Sequence, residues 1–128
     1  MKKCSTIVIL AILFTGNSLF AGEYVVAISA KTNTDPQWNK VADALVKKHD
    51  GELLIYEKNI GELQERLREK HPRHTCFVAQ SSETTRQFVA SVHQFTRTYD
   101  DDPYTDTLWG ILTGYDAANA LEIAQHAE

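Results

Sequence analysis

The chain has 128 residues, with 13 Lys plus Arg against 17 Asp plus Glu and a formal net charge of −4 at pH 7. An acidic balance with scattered cations gives no electrostatic reason to bind nucleic acid or an anionic membrane surface. The length supports one modest hydrophobic core and a single domain.

The amino terminus is zoned. Lys2 and Lys3 precede an apolar run, Ile7 to Phe14, and a polar break at Gly16-Asn17-Ser18 leads to Leu19-Phe20-Ala21. This is the layout of a secretory signal peptide cleaved after Ala21. The run falls short of the roughly 20 apolar residues that span a bilayer, so it reads as a leader and not as an anchor. The expected division is residues 1–21 as signal peptide and 22–128 as one exported domain, periplasmic or extracellular. Without Lys2 and Lys3 the basic count is 11 against 17 acidic, a net of −6. Cys4 leaves with the leader, and Cys76 alone cannot staple the fold.

Tyr24-Val25-Val26-Ala27-Ile28 is a continuous apolar run, as expected of a strand covered on both faces. Asp35 and Pro36 form a helix cap and first turn. Trp38, Val41, Ala42, Leu45 and Val46 then make one helical stripe. Lys47, Lys48 and His49 suit the negative end of that helix, and Gly51 ends it. Leu53-Leu54-Ile55-Tyr56 is a second strand. Asn59 and Glu62 have the spacing of a capping box, ahead of Ile60, Leu63 and Leu67, and Pro72 closes that unit.

Cys76-Phe77-Val78-Ala79 is the third strand. Ser81 or Ser82 is the expected cap of a helix striped by Phe88, Val89, Val92 and Phe95, with His93 at its border. Leu108-Trp109-Gly110-Ile111-Leu112 is a fourth strand, and Asp116 opens a last helix through Ala117, Ala120, Leu121 and Ala124. The β-α-β-α-β-α-β-α order predicts a three-layer α/β/α sandwich around a mainly parallel four-stranded sheet, caspase-like or flavodoxin-like in shape. The last helical pattern runs to Glu128 with no glycine or proline, which suggests a fragment or a truncated reading frame.

Ligands of such sheets gather beyond the carboxyl ends of the strands. Those positions are Ser29 to Asn33, Glu57 to Asn59, Gln80 to Ser82 and Thr113 to Tyr115. The first turn has no glycine for a dinucleotide and there is no P-loop. Its hydroxyls faintly resemble the phosphate-binding turn of flavodoxins, which gives a rival reading: a stand-alone binding module with a small anion at Thr32–Thr34. Cys76 in a strand interior reads as a core residue and not as a nucleophile beside His71 or His74. Ser81 and Ser82 have no neighbouring histidine, so no catalytic residue is assigned. Asp100, Asp101, Asp102 and Asp106 are candidate oxygen ligands for calcium, which takes about six to eight of them. A solvated turn with the same residues is the simpler reading.

Read as a whole, residues 23–127 resemble the N-terminal part of gingipain-type cysteine peptidases, a caspase-like α/β group. The resemblance rests on Trp38 to Leu45, Leu53 to Tyr56, Ile60 to Leu63 and Pro72 to Ala79. It rests most on Asp101-Asp102-Pro103-Tyr104-Thr105-Asp106 leading into Leu108 to Gly114 and the Ala-rich Ala117 to Leu121. It departs at Ile111, where the family has Arg after the strand glycine, and in its aspartate spacing. In that family the catalytic His and Cys lie on later strands, so no residue here inherits the dyad. The resemblance implies a peptidase-related domain, non-catalytic alone, whose partners are a C-terminal catalytic portion and a peptide or protein substrate.

Overall fold

The computed structural model describes residues 23–126; the leader expected at residues 1–21 lies outside them. Four parallel strands, β1 (Tyr24–Ser29), β2 (Glu52–Tyr56), β3 (His74–Val78) and β4 (Leu108–Leu112), form one sheet in the order β2-β1-β3-β4. Between them run α1 (Ala30–Asn33), α2 (Pro36–His49), a 3-10 turn (Ile60–Leu63) continuing into α3 (Gln64–Lys70), α4 (Arg86–Phe95) and α5 (Ala117–Gln125).

β1 is central, and Val25, Val26, Ala27 and Ile28 are each 0% exposed. Alternation sends them to opposite faces. Val25 and Ala27 join Leu54, Tyr56, Leu63, Leu67, Phe77, Val92, Phe95 and Tyr99 under α3 and α4. Val26 and Ile28 join Trp38, Val41, Leu45, Val78 and the alanines of α5 under α2 and α5. Two cores on one sheet make the expected α/β/α sandwich.

The helix boundaries follow local chemistry. Asp35 accepts from the Gln37 N–H and Pro36 occupies the first turn of α2. At the other end Asp50, not Gly51, takes the left-handed conformation (φ 48°). Gly51 answers a different need: a Cβ there would lie 2.8 Å from the Tyr24 carbonyl oxygen. The Asn59–Glu62 capping box is formed, and Glu62 also accepts from the Glu57 and Lys58 N–H groups. Those bonds lower the Glu62 carboxyl below its usual range, foremost the Glu57 one.

Two expectations are corrected. α4 is capped by Thr85, whose hydroxyl oxygen accepts from the Phe88 N–H, because Gln80 to Thr84 close a turn of their own. Val89 is 38% exposed and stands off the core that Val92 and Phe95 enter. Asp116 caps α5 as read from the sequence, and the Lys48 ammonium donates to the His126 carbonyl at 2.7 Å, tying α2 to the negative end of α5.

Candidate functional site

The chain connects β1 to β2 on one side and β3 to β4 on the other, so its crossover direction changes between β1 and β3. Open α/β sheets form their ligand crevice at such a point. Here Ser29 ends β1, and Gln80 opens the turn after β3. Between them stands Glu83. The Ser29 hydroxyl donates to its Oε1 at 2.6 Å, and the Thr32 hydroxyl (2.5 Å) and the Gln80 N–H (2.9 Å) donate to its Oε2. Burial alone would raise this carboxyl, but those three donors and the nearby Lys31 outweigh it and hold the group below its usual range. Glu83 is therefore an ionised, fixed carboxylate in the crevice.

This arrangement bears on the anion turn expected at Thr32–Thr34. The hydroxyls of Ser29 and Thr32 are spent on Glu83, the Thr32 N–H on Ser29 Oγ, and the Thr34 hydroxyl and N–H on the carbonyls of Lys31 and Ala30. Glu83 thus accepts the hydroxyl donors of Ser29 and Thr32 in this turn. Sequence reading passed over Glu83, although it is the one acid between Gln80 and Thr85, directly beyond a strand end.

Beside Glu83 a cavity of about 410 Å³ opens between the ends of β1 and β2 and the start of α4. Phe88 and Ile60 form its apolar wall, and Lys31 and Lys58 lie on its rim. Tyr56 lines it while only 6% exposed; burial first, then the Glu83 charge, pushes its hydroxyl up to about 12.

The acidic loop is partly gathered. Asp100, Asp102 and Asp106 bring carboxylate oxygens within 4.8 Å of one another, and Asp101 instead faces Arg68 at 3.6 Å. Each gathered aspartate already serves the backbone. Asp106 accepts from Tyr99 N–H, Asp100 from Asp102 N–H and Asp102 from Tyr104 N–H. With Arg68 Nε bonded to the Tyr99 carbonyl, these contacts account for the loop as a self-closed turn.

Cys76 stands mid-strand on β3, away from the carboxyl ends, and its side chain packs against the α2–α5 core. Burial pushes its thiol up to about 11, against opposing contacts from the Tyr24 hydroxyl and the Leu112 backbone. A thiol shifted in that direction is held in its protonated form, the weaker nucleophile. His74 stacks on Tyr24 with ring centroids 6.1 Å apart, and His93 meets the edge of Trp109 at 6.3 Å. Ser81 and Ser82 are exposed in the Gln80–Thr84 turn. No helix among the described residues is long and apolar enough to cross a membrane.

Among the described residues nothing pairs with the outer edge of β4. Leu108 N–H bonds the Arg73 carbonyl, and Ala79 N–H bonds the Leu112 carbonyl. In a parallel ladder this phase turns the backbone groups of Leu108, Gly110 and Leu112 toward β3 and those of Trp109 and Ile111 outward. Leu108 is 64% exposed, and a Cβ on Gly110 would meet nothing within 4 Å. On the opposite face an apolar groove runs between Trp109 and Val89, Ala90 and His93 of α4. Compared with known proteins, the chain matches no family model, no curated protein and no solved structure.

Proposed function

We propose that this chain is an exported, caspase-like peptidase-related domain that carries no complete catalytic site and serves as one half of a larger parallel sheet. The observation that supports this best is the β4 edge. Exposed edge strands are ordinarily blunted by charge, proline, a bulge or a covering element. β4 is five uncharged residues with outward backbone groups at Trp109 and Ile111 and open apolar surface on both faces. β2, at the other edge, starts with Glu52 in an ion pair with Lys70. A further strand laid on β4 would satisfy the outward groups and cover Leu108 and the Trp109 groove. Under the gingipain-type resemblance, that strand would come from a C-terminal portion bearing the catalytic His and Cys. The Lys2-Lys3, Ile7 to Phe14 and Ala21 pattern supplies the export signal.

Two measurements test the reading. The purified chain shows no thiol-dependent cleavage of casein or of mixed peptides; cleavage that disappears in Cys76→Ala overturns the proposal. Amide exchange followed residue by residue finds Trp109 and Ile111 unprotected in the isolated chain and Gly110 and Leu112 protected. In the protein purified whole from its native source the first two become protected. If they stay open there, β4 is a true edge and the reading fails.

A further inference from the structure

The cavity beside Glu83 has a chemistry of its own, separate from the β4 edge on the other side of the sheet. Its volume of about 410 Å³ lies within the usual span for small-molecule pockets, and it stands at the carboxyl ends of β1 and β2 where such folds take ligands. Which ligand it favours follows from which of its groups are already engaged. Glu83 accepts three hydrogen bonds and is committed to Ser29, Thr32 and Gln80. Lys31 and Lys58 lie on the rim, and among the described residues neither is within ion-pair distance of a carboxylate. Among the described residues the Tyr56 hydroxyl has no hydrogen-bond partner, and it is not among their buried unsatisfied groups, although the residue as a whole is buried. Its acidity is weakened, so it presents a proton to an acceptor at any ordinary pH. The cavity thus has two cations outside any ion pair, although Lys31 also acts at longer range on Glu83 and Lys58 on Glu62, and a neutral donor beside an apolar wall.

We propose that this cavity binds a small organic monocarboxylate with an apolar body. Its carboxylate sits between Lys31 and Lys58 with the Tyr56 hydroxyl as a further donor, and its body lies against Phe88 and Ile60. A compact inorganic dianion is a poorer fit. Glu57 and Glu83 also border the space, so the rim has no large positive excess, and phosphate has nothing to place on Phe88.

The test is an amide-resolved NMR titration of the whole chain with phenylacetate, with uncharged phenylacetamide and inorganic phosphate as comparisons. Phenylacetate gives saturable shifts at Tyr56, Lys58 and Phe88, and phenylacetamide binds at least about tenfold more weakly, the ratio expected for roughly 1.4 kcal/mol. The double variant Lys31→Ala, Lys58→Ala loses a similar factor while staying folded, since both side chains are exposed. Phe88→Leu weakens phenylacetate and leaves any phosphate response unchanged. The proposal is overturned if phenylacetate gives no saturable shift up to about 10 mM, where even millimolar affinity would register. It is equally overturned if the amide binds as well as the acid, or if phosphate binds more tightly than either.

Discussion

β1 and β4 are short, uncharged, apolar strands of one sheet, and solvent meets them at opposite extremes. Val25 to Ile28 are sealed on both faces, whereas Leu108 is 64% exposed and Trp109 and Ile111 turn their backbone groups to solvent. The chemistry of the two segments is nearly the same; their places in the strand order differ. β1 gains coverage because both neighbours and both helix layers reach it, while α4 and α5 only lean over β4. An apolar run therefore encodes a strand, and the coverage of that strand is encoded by everything else.

The sharpest way to break this contrast is to truncate both strands equally. Ile28→Ala removes buried methylenes from a closed core and should lower unfolding stability by about 2–5 kcal/mol. Leu108→Ala should change it by no more than about 0.5 kcal/mol. Urea denaturation of the two variants measures both. Similar losses would mean that β4 is covered in solution and that its exposure here is not the state of the free chain.

Glu83 is the next largest. Glu83→Ala leaves the Ser29 and Thr32 hydroxyls and the Gln80 N–H without their acceptor, at a cost of about 1–3 kcal/mol. The pH dependence has a definite sign. The folded carboxyl is held below its unfolded value near 4.5, so its contribution is complete above that pH and fades as pH falls through the lower folded value. Glu83→Gln should flatten the acid limb of the stability curve below about pH 4.5 and leave its shape at neutral pH unchanged. An unaltered acid limb would show that the three donors do not hold the carboxylate.

Much of the fold was legible because its signals are local. Asp35-Pro36, Asn59 with Glu62, and Asp116 each act on backbone within three residues, and each cap forms where its spacing says. The failures share a cause as well. Ser81 and Ser82 are chemically good caps, but the Gln80–Thr84 turn moves the helix start on to Thr85. Glu83 reaches Ser29 across 54 positions and Thr32 across 51, and no periodicity reports a contact of that range. The four aspartates were visible as a cluster, yet only packing of α3 against the loop shows that Asp101 goes to Arg68. Val89 has the spacing of a core residue and is exposed because β4 ends the sheet beneath it.

Two glycines at the β4 end sharpen the comparison further. Gly114 leaves no room: an added Cβ would lie 2.8 Å from the Ala120 N and 2.9 Å from the Asp116 carbonyl, both backbone atoms of the α5 entry. Gly114→Ala should cost about 1–3 kcal/mol through forced movement of that turn. Gly110, four residues earlier, faces open space, and Gly110→Ala should be neutral or stabilising by up to about 1 kcal/mol, since a strand glycine gives up extra chain entropy. Equal effects in thermal melts would contradict the picture of a β4 anchored at its carboxyl end and open along its middle.

The smallest stability effect carries the most information about the edge itself. Leu108→Lys puts a charge on a side chain already 64% exposed, so unfolding free energy should move by less than about 0.5 kcal/mol. Association is a separate quantity, because a lysine at a strand edge discourages another strand from docking. If the bare β4 edge is sticky, the native chain should show concentration-dependent mass in light scattering and Leu108→Lys should remain monomeric, with both folding alike. A native chain that stays monomeric at every concentration, and a variant that behaves identically, would show that edge polarity at Leu108 does not govern pairing. The completing strand would then have to be held by Trp109 and the α4 groove alone.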